Sequence, residues 1–235
     1  MIVYGINPVL EALRAGRVVS IRVANASAKT AEIRDVAKRF GMSVVQVPRP
    51  SLDRAAGGAH HQGVVAEVKE PKSLSLSELI DGLRDPALLV VLDGIEDPQN
   101  FGAILRSAEA AAVDGVIRQT RRSAPVGRVA RASAGAFSHV RVVSVVNVAR
   151  AITLLQASGV WVVGLETGGD DLYSDVDLTL PTALVLGSEG RGLRRLVRER
   201  CDRVVSIPML GRINSLNVSV AAGISLFEAL RQRRI

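Results

Sequence analysis

Short apolar runs alternate with stretches of helical spacing along almost the whole chain. Val18 to Ala24, Met42 to Val47 and Gly63 to Val68 are rich in β-branched residues, and Lys29 to Phe40 has helical spacing that stops at Gly41. Asn7-Pro8 reads as an N-cap with Pro at the first helical position, opening a helix to Ala15. Lys69 to Ser75 mixes charge with Pro and Ser without apolar periodicity, as a linker does. Beyond it, Leu88 to Leu92 is a continuous apolar run suited to a strand buried on both faces. Further strands are expected at Gly115 to Ile117, Val140 to Val146, Val160 to Leu165, Ala183 to Leu186 and Arg203 to Ile207. Helices are expected at Gly102 to Ala112, Asn147 to Ala157, Leu193 to Arg200 and Ser215 to Arg233. The expected fold class is α/β, with a mainly parallel sheet after a small α/β unit. The expected divisions are residues 1–68, a linker over 69–85, and 86–235.

The chain has 235 residues, 48% hydrophobic and 23% charged, which is a globular composition. No apolar run approaches the ~20 residues of a bilayer-crossing helix, and no secretory signal is visible. Cys201 stands alone, which excludes an internal disulfide and a cysteine-based metal cluster, and a cytosolic protein is expected. His60 and His61 form no metal pattern with any acid or cysteine. Net charge is +7, and its distribution is uneven. Gly115 to Leu165 carries seven arginines and no acid, and Arg191 to the end carries ten arginines against three acids. Such stretches attract a polyanion.

Three segments carry candidate chemistry. Ser206 to Gly223 places Pro208, Gly211, Asn214, Ser215, Asn217 and Ser219 between a strand and a helix, more than a simple connection needs. Freed backbone N–H groups at such a helix start can hold a small ligand, although Ser215 also suits a plain N-cap. Gly187, Gly190 and Gly192 follow a buried strand, where open α/β sheets bind ligands. Their spacing is neither the dinucleotide fingerprint nor a Walker loop, which disfavours nicotinamide and nucleoside-triphosphate enzymes. The third segment is Leu92 to Ala108, with Asn100 and Arg106.

In order and spacing, these segments resemble the motifs of SpoU-type RNA ribose 2′-O-methyltransferases of the knotted superfamily. The likeness extends to Tyr4-Gly5 and His61-Gln62-Gly63. It implies a deep trefoil knot, S-adenosyl-L-methionine as methyl donor, no metal, a homodimer, and an RNA-recruiting first domain related to ribosomal proteins. Within the family the likeness is greatest to the enzymes that methylate a guanosine of large-subunit ribosomal RNA. The resemblance puts the donor against Leu186, Gly187, Ile207, Met209 and Leu216. It gives catalytic roles to Asn100, Arg106, Glu189, Ser215 and Asn217, with Arg106 orienting the target ribose and its phosphate. Arg122, Arg128 and Arg131 are expected to contact RNA. Two features depart from the family pattern: Arg118-Gln119-Thr120 where a Pro is usual, and no acid near Gly135-Ala136. Transfer RNA as substrate, or a non-catalytic RNA-binding assembly factor, are the alternatives.

Overall fold

The structure is a computed structural model that describes residues 1–25, 28–69, 74–124, 129, 132, 133 and 135–233. It divides into two compact units. The first comprises Met1–Lys72 with Pro125–His139, and the second Ser73–Ala124 with Val140–Ile235.

In the first unit, strands β1 (Ile2–Tyr4), β2 (Val18–Val23), β3 (Val44–Gln46) and β4 (Val64–Val68) form a sheet in the order β1-β4-β2-β3. Successive residues of a strand face opposite sides, and both sides of β4 are covered. Val64, Ala66 and Val68 pack with Leu10, Leu13 and Ile33 of helices α1 (Ile6–Arg14) and α2 (Ala28–Arg39). Val65 packs with Leu52 of α3 (Arg49–Ala55). Helix α1 is capped by Gly5, so Asn7 and Pro8 lie inside its first turn and the expected Asn7 cap is not formed. His61 is buried: Nε2 pairs with Asp53 Oδ1 at 2.8 Å, and Nδ1 accepts from Gly63 N at 3.0 Å. Gln62 Oε1 accepts from Ile6 N at 2.9 Å. These two residues therefore fix the turn into β4.

The second unit contains strands β5 (Leu88–Asp93), β6 (Gly115–Gln119), β7 (Val142–Val145), β8 (Trp161–Leu165), β9 (Asp171–Leu172), β10 (Thr182–Gly187) and β11 (Arg203–Ser206). Their order is β7-β6-β5-β10-β8-β11-β9, and every pairing is parallel. β5 and β10 are buried along their whole length, as their unbroken apolar runs require. One face packs on α6 (Val148–Ala157) through Leu89, Val91, Ile152 and Leu155. Helices α5 (Pro98–Ala110) and α8 (Val218–Arg233) pack on each other, and α8 also meets β10. This order fits the knotted topology that the resemblance implies.

Several boundaries moved. Helix α4 (Leu76–Asp81), closed by a Ser75–Glu78 capping box, occupies part of the stretch read as linker. Residues 125–139 group with the first unit although they lie far along the chain. The helix expected over Leu193 to Arg200 shrinks to α7 (Arg195–Arg198). At the N-terminal end of the large sheet, buried Asp114 accepts from Leu88 N at 2.9 Å and from Arg84 Nε at 2.6 Å.

Candidate active site

Parallel strands send their C-terminal ends to one edge, and the loops there enclose two cavities. The larger, about 650 Å³, lies among the loops after β8, β10 and β11. Leu186, Gly187, Ile207, Met209 and Leu216, which the resemblance assigns to the donor, line it, and so do Ser215 and Asn217, which it assigns to catalysis. Asn214 of the Ser206–Gly223 segment lines it too, as do Leu165, Glu166 and Thr167, to which no motif pointed. The smaller, about 430 Å³, lies beside it and includes Asn100, Arg122, Arg191 and Arg194. Ser188, Glu189, Arg191 and Val218 belong to both, so the turn after β10 is the seam between them.

A hydrogen-bonded cluster crosses that seam. Asn100 Nδ2 donates to Glu189 Oε1 at 2.7 Å. Asn217 Nδ2 donates to Asn100 Oδ1 at 2.9 Å and to the same Glu189 oxygen at 3.0 Å. Asn217 Oδ1 in turn accepts from Ser219 N at 2.9 Å and Ser219 Oγ at 2.6 Å. Three segments far apart in sequence are thereby locked into one polar group, with Asn100 buried at its base.

Local chemistry explains how each arrives there. Asp97 is the N-cap of α5, Pro98 sits at its start, and the Asp97 carboxylate accepts from Asn100 N at 2.9 Å. Asn100 is therefore inside the helix, not in the loop before it. The Asp-Pro pair was a readable start signal. The correction has a consequence for Arg106, six residues on, which projects roughly 120° around the helix from Asn100. Arg106 is exposed, lines neither cavity, and has no hydrogen bond or ion pair among the described residues. Within this single chain, therefore, the two residues that the resemblance makes catalytic do not face the same opening. Ser215 does not cap α8, which begins at Val218 with Asn217 holding Ser219 N.

Gly187 behaves differently from the sequence reading as well. A Cβ there would lie 2.2 Å from the carbonyl carbon of Gly192, so the absent side chain makes room for backbone and not for ligand. Gly190 and Gly192 have φ of 73° and 64°, the left-handed region a tight turn uses. Ser188 and Gly192 close that turn through two backbone hydrogen bonds of 3.1 and 2.9 Å.

Arg122 lines the smaller cavity in a left-handed conformation with φ of 56°, unusual for a side chain of its size. Arg128 and Arg131 lie outside the described residues. Arg118, at the position where a Pro was expected, is structural. Nε donates to Ser144 Oγ at 3.1 Å, Nη1 to Ser123 Oγ at 3.0 Å and Ala124 O at 2.8 Å, and the guanidinium lies 5.9 Å from the Phe101 ring centroid. Burial pushes its pKa below the usual arginine value. Cys201 is no nucleophile: burial, aided by Asp202, pushes its thiol up to about 12.

A cavity of about 650 Å³ with both aliphatic and polar lining, beside a hydrogen-bonded polar cluster, has room for a nucleoside-like cofactor next to its acceptor. Comparison with known proteins agrees. A family profile described as SpoU rRNA Methylase family matches residues 87–227, and one described as RNA 2'-O ribose methyltransferase substrate binding matches residues 2–74. The chain is 48% identical over 199 residues to a 23S rRNA (guanosine-2'-O-)-methyltransferase of Vibrio parahaemolyticus, covering 82% of this chain and 79% of that one. It is 46% identical over 242 residues to an uncharacterized tRNA/rRNA methyltransferase of Mycolicibacterium gilvum, covering 100% of this chain and 77% of that one. Among solved structures, the SpoU methyltransferase AviRb of Streptomyces viridochromogenes in complex with AdoMet superposes with a TM-score of 0.83 at 31% identity, covering 100% of this chain and 90% of that one.

The chain belongs to the SpoU family of RNA methylases. It is an S-adenosylmethionine-dependent RNA ribose 2′-O-methyltransferase. The residues present fit the donor: Leu165, Leu186, Ile207 and Leu216 offer aliphatic contact for an adenine ring, and Glu166 and Glu189 lie on the same cavity.

Proposed function

We propose that the acceptor is a guanosine 2′-hydroxyl in large-subunit ribosomal RNA. The observation that carries the assignment of the site is the Asn100–Glu189–Asn217 cluster on the seam between the two cavities. Leu186, Ile207, Met209 and Leu216 hold the donor, which supplies an electrophilic methyl group. The target nucleoside enters the smaller cavity, where Arg122 and Arg191 meet its phosphates. Glu189 uses Oε1 for both asparagines, whereas Oε2 has no partner among the described residues. Oε2 accepts the hydrogen bond of the incoming ribose hydroxyl and polarises it. Asn100 and Asn217 fix that carboxylate, and Ser215 faces the donor from the third loop.

The protein acts in the cytoplasm as a homodimer. Val220 and Phe227 are exposed on α8, with Leu210 and Ile213 exposed before it, an apolar surface that a second copy would cover. The exposed Arg106 binds RNA phosphate and completes the site across that dimer.

Residues 1–68 recruit RNA. The relative named for 23S rRNA guanosine methylation supports the choice of ribosomal over transfer RNA. Incubating the protein and labelled donor separately with 23S rRNA and with total tRNA, then mapping the methylated ribose, tests the reading. Label on tRNA alone, or on a nucleoside other than guanosine, overturns it. Sedimentation across a concentration series tests the dimer.

A further inference from the structure

The turn that carries Glu189 leaves β10, the strand between β5 and β8. A carboxylate from each neighbouring strand end grips the chain just beyond that turn. On the β5 side, Asp93, whose side chain is wholly buried, accepts from Arg194 N at 2.9 Å and Arg194 Nε at 2.7 Å, with Arg194 Nη2 also against it. On the β8 side, Glu166 accepts from Leu193 N at 3.3 Å and Arg198 Nε at 2.8 Å. Its Oε1 also occupies the space a Cβ on Gly192 would need, at 2.7 Å.

We infer that Asp93 and Glu166 form a two-sided clamp that sets where Glu189, and through it Asn100 and Asn217, stands. Asp93, Glu166 and Arg194 are thus positioning residues for methyl transfer, an inference that rests on the catalytic role proposed for the cluster. The turn over residues 188–192 is closed on itself by two backbone bonds, so it moves as a small rigid piece. Its orientation against the sheet must come from anchors outside it, and residues 193 and 194 supply them. Net stability is a poor account of such a pair, because burying two charges offsets much of their attraction. What the contact supplies is direction: Arg194 Nε and Nη2 both meet Asp93 Oδ1 while the Arg194 backbone N–H meets Oδ2, so side chain and main chain are held by one carboxylate.

Asp114 provides the control. It too is buried and paired with Arg84, but at the opposite end of the sheet, far from the cluster. The test uses the full-length protein with its asparagine side-chain amides labelled for NMR, and kcat and KM measured on methylatable RNA. In Arg194→Met, Asp93→Asn and Glu166→Gln, the Asn100 and Asn217 amide resonances are expected to shift toward free-amide values. We expect kcat at saturating donor to fall about 10–100-fold in each, with KM for RNA nearly unchanged in Glu166→Gln, whose side chain lies outside the acceptor cavity. Arg194→Lys should recover part of both readouts. Asp114→Asn should lower the melting temperature while leaving both readouts intact. If any folded member of the first three variants keeps wild-type resonances and kcat, the clamp is overturned for that arm. Glu166→Gln, at a partly exposed side chain, keeps the test decisive if the Asp93 variant does not fold. Should the wild-type protein methylate no ribosomal RNA, the acceptor assignment fails while the resonances still report on the clamp.

Discussion

Substituting Gly187 by alanine places a methyl group against the backbone of Gly192 at 2.2 Å, a contact only a shifted turn relieves. Gly187→Ala is expected to cost about 1–3 kcal/mol in a denaturant titration and to weaken donor binding by calorimetry, because the turn is also a cavity wall. The loss then comes from the wall moving, not from a side chain filling the donor's space. Glu189→Ala removes the acceptor that both asparagines share, and methyl transfer at saturating donor should fall about 10²–10³-fold. Cys201 donates to Val197 O at 3.3 Å and its thiol is held near 12. It should therefore resist alkylation at pH 8 in the folded protein and react once the protein is unfolded in denaturant.

At the scale of elements, the last turn of α8 is fastened by two side chains, Gln232, which holds Leu178 N and Val176 O, and Arg233. Arg233 donates to Leu178 O at 2.8 Å, Pro86 O at 3.0 Å, Ala87 O at 2.8 Å and Leu180 O at 2.8 Å. These carbonyls lie at the N-terminal ends of β5 and β10, opposite the cavities. Arg233→Ala should destabilise the protein by about 2 kcal/mol, read as a lower melting temperature, because four carbonyls, those of buried Ala87 and Leu178 among them, lose a charged donor. The same variant should leave donor affinity unchanged. α5 shows the complementary case, in which a cap decides chemistry: without the Asp97 carboxylate, the first turn that carries Asn100 frays.

For the whole molecule, the grouping of residues 125–139 with the N-terminal unit changes what a truncation does. Within that unit, Arg17 Nη1 donates to Phe137 O at 3.4 Å, His139 Nε2 lies 3.0 Å from Glu11 Oε2, and Gly135 sits against the Glu11 side chain. A protein beginning at Ser75 should fold and bind S-adenosylmethionine, since every residue lining the donor cavity remains. It should nevertheless be cut by protease around residues 135–139, which lose those partners. Its RNA affinity should fall less steeply with salt than that of the full chain, because ten basic residues against six acidic ones leave with residues 1–70. Full activity and an unchanged salt slope in the truncated protein would remove the recruiting role of the first domain.

Alternation of strands and helices and the α/β class followed from the sequence, because each depends on neighbours within a few positions, whereas the five donor residues were named through the resemblance and lie along one cavity. Period, caps and glycines after a strand are local signals. The pairing of Asn100 with Glu189 spans 89 residues, and that of Asp93 with Arg194 spans 101. No local signal carries them, since they exist only because β10 lies between β5 and β8. The separation of Arg106 from Asn100 likewise depended on where α5 begins, and a two-residue Asp-Pro cap moved that start by four positions. Which residues are capable of the chemistry was written along the chain. Which of them meet was decided by strand order, because in a parallel sheet contact is set by the neighbour across the ladder and not by the neighbour in sequence.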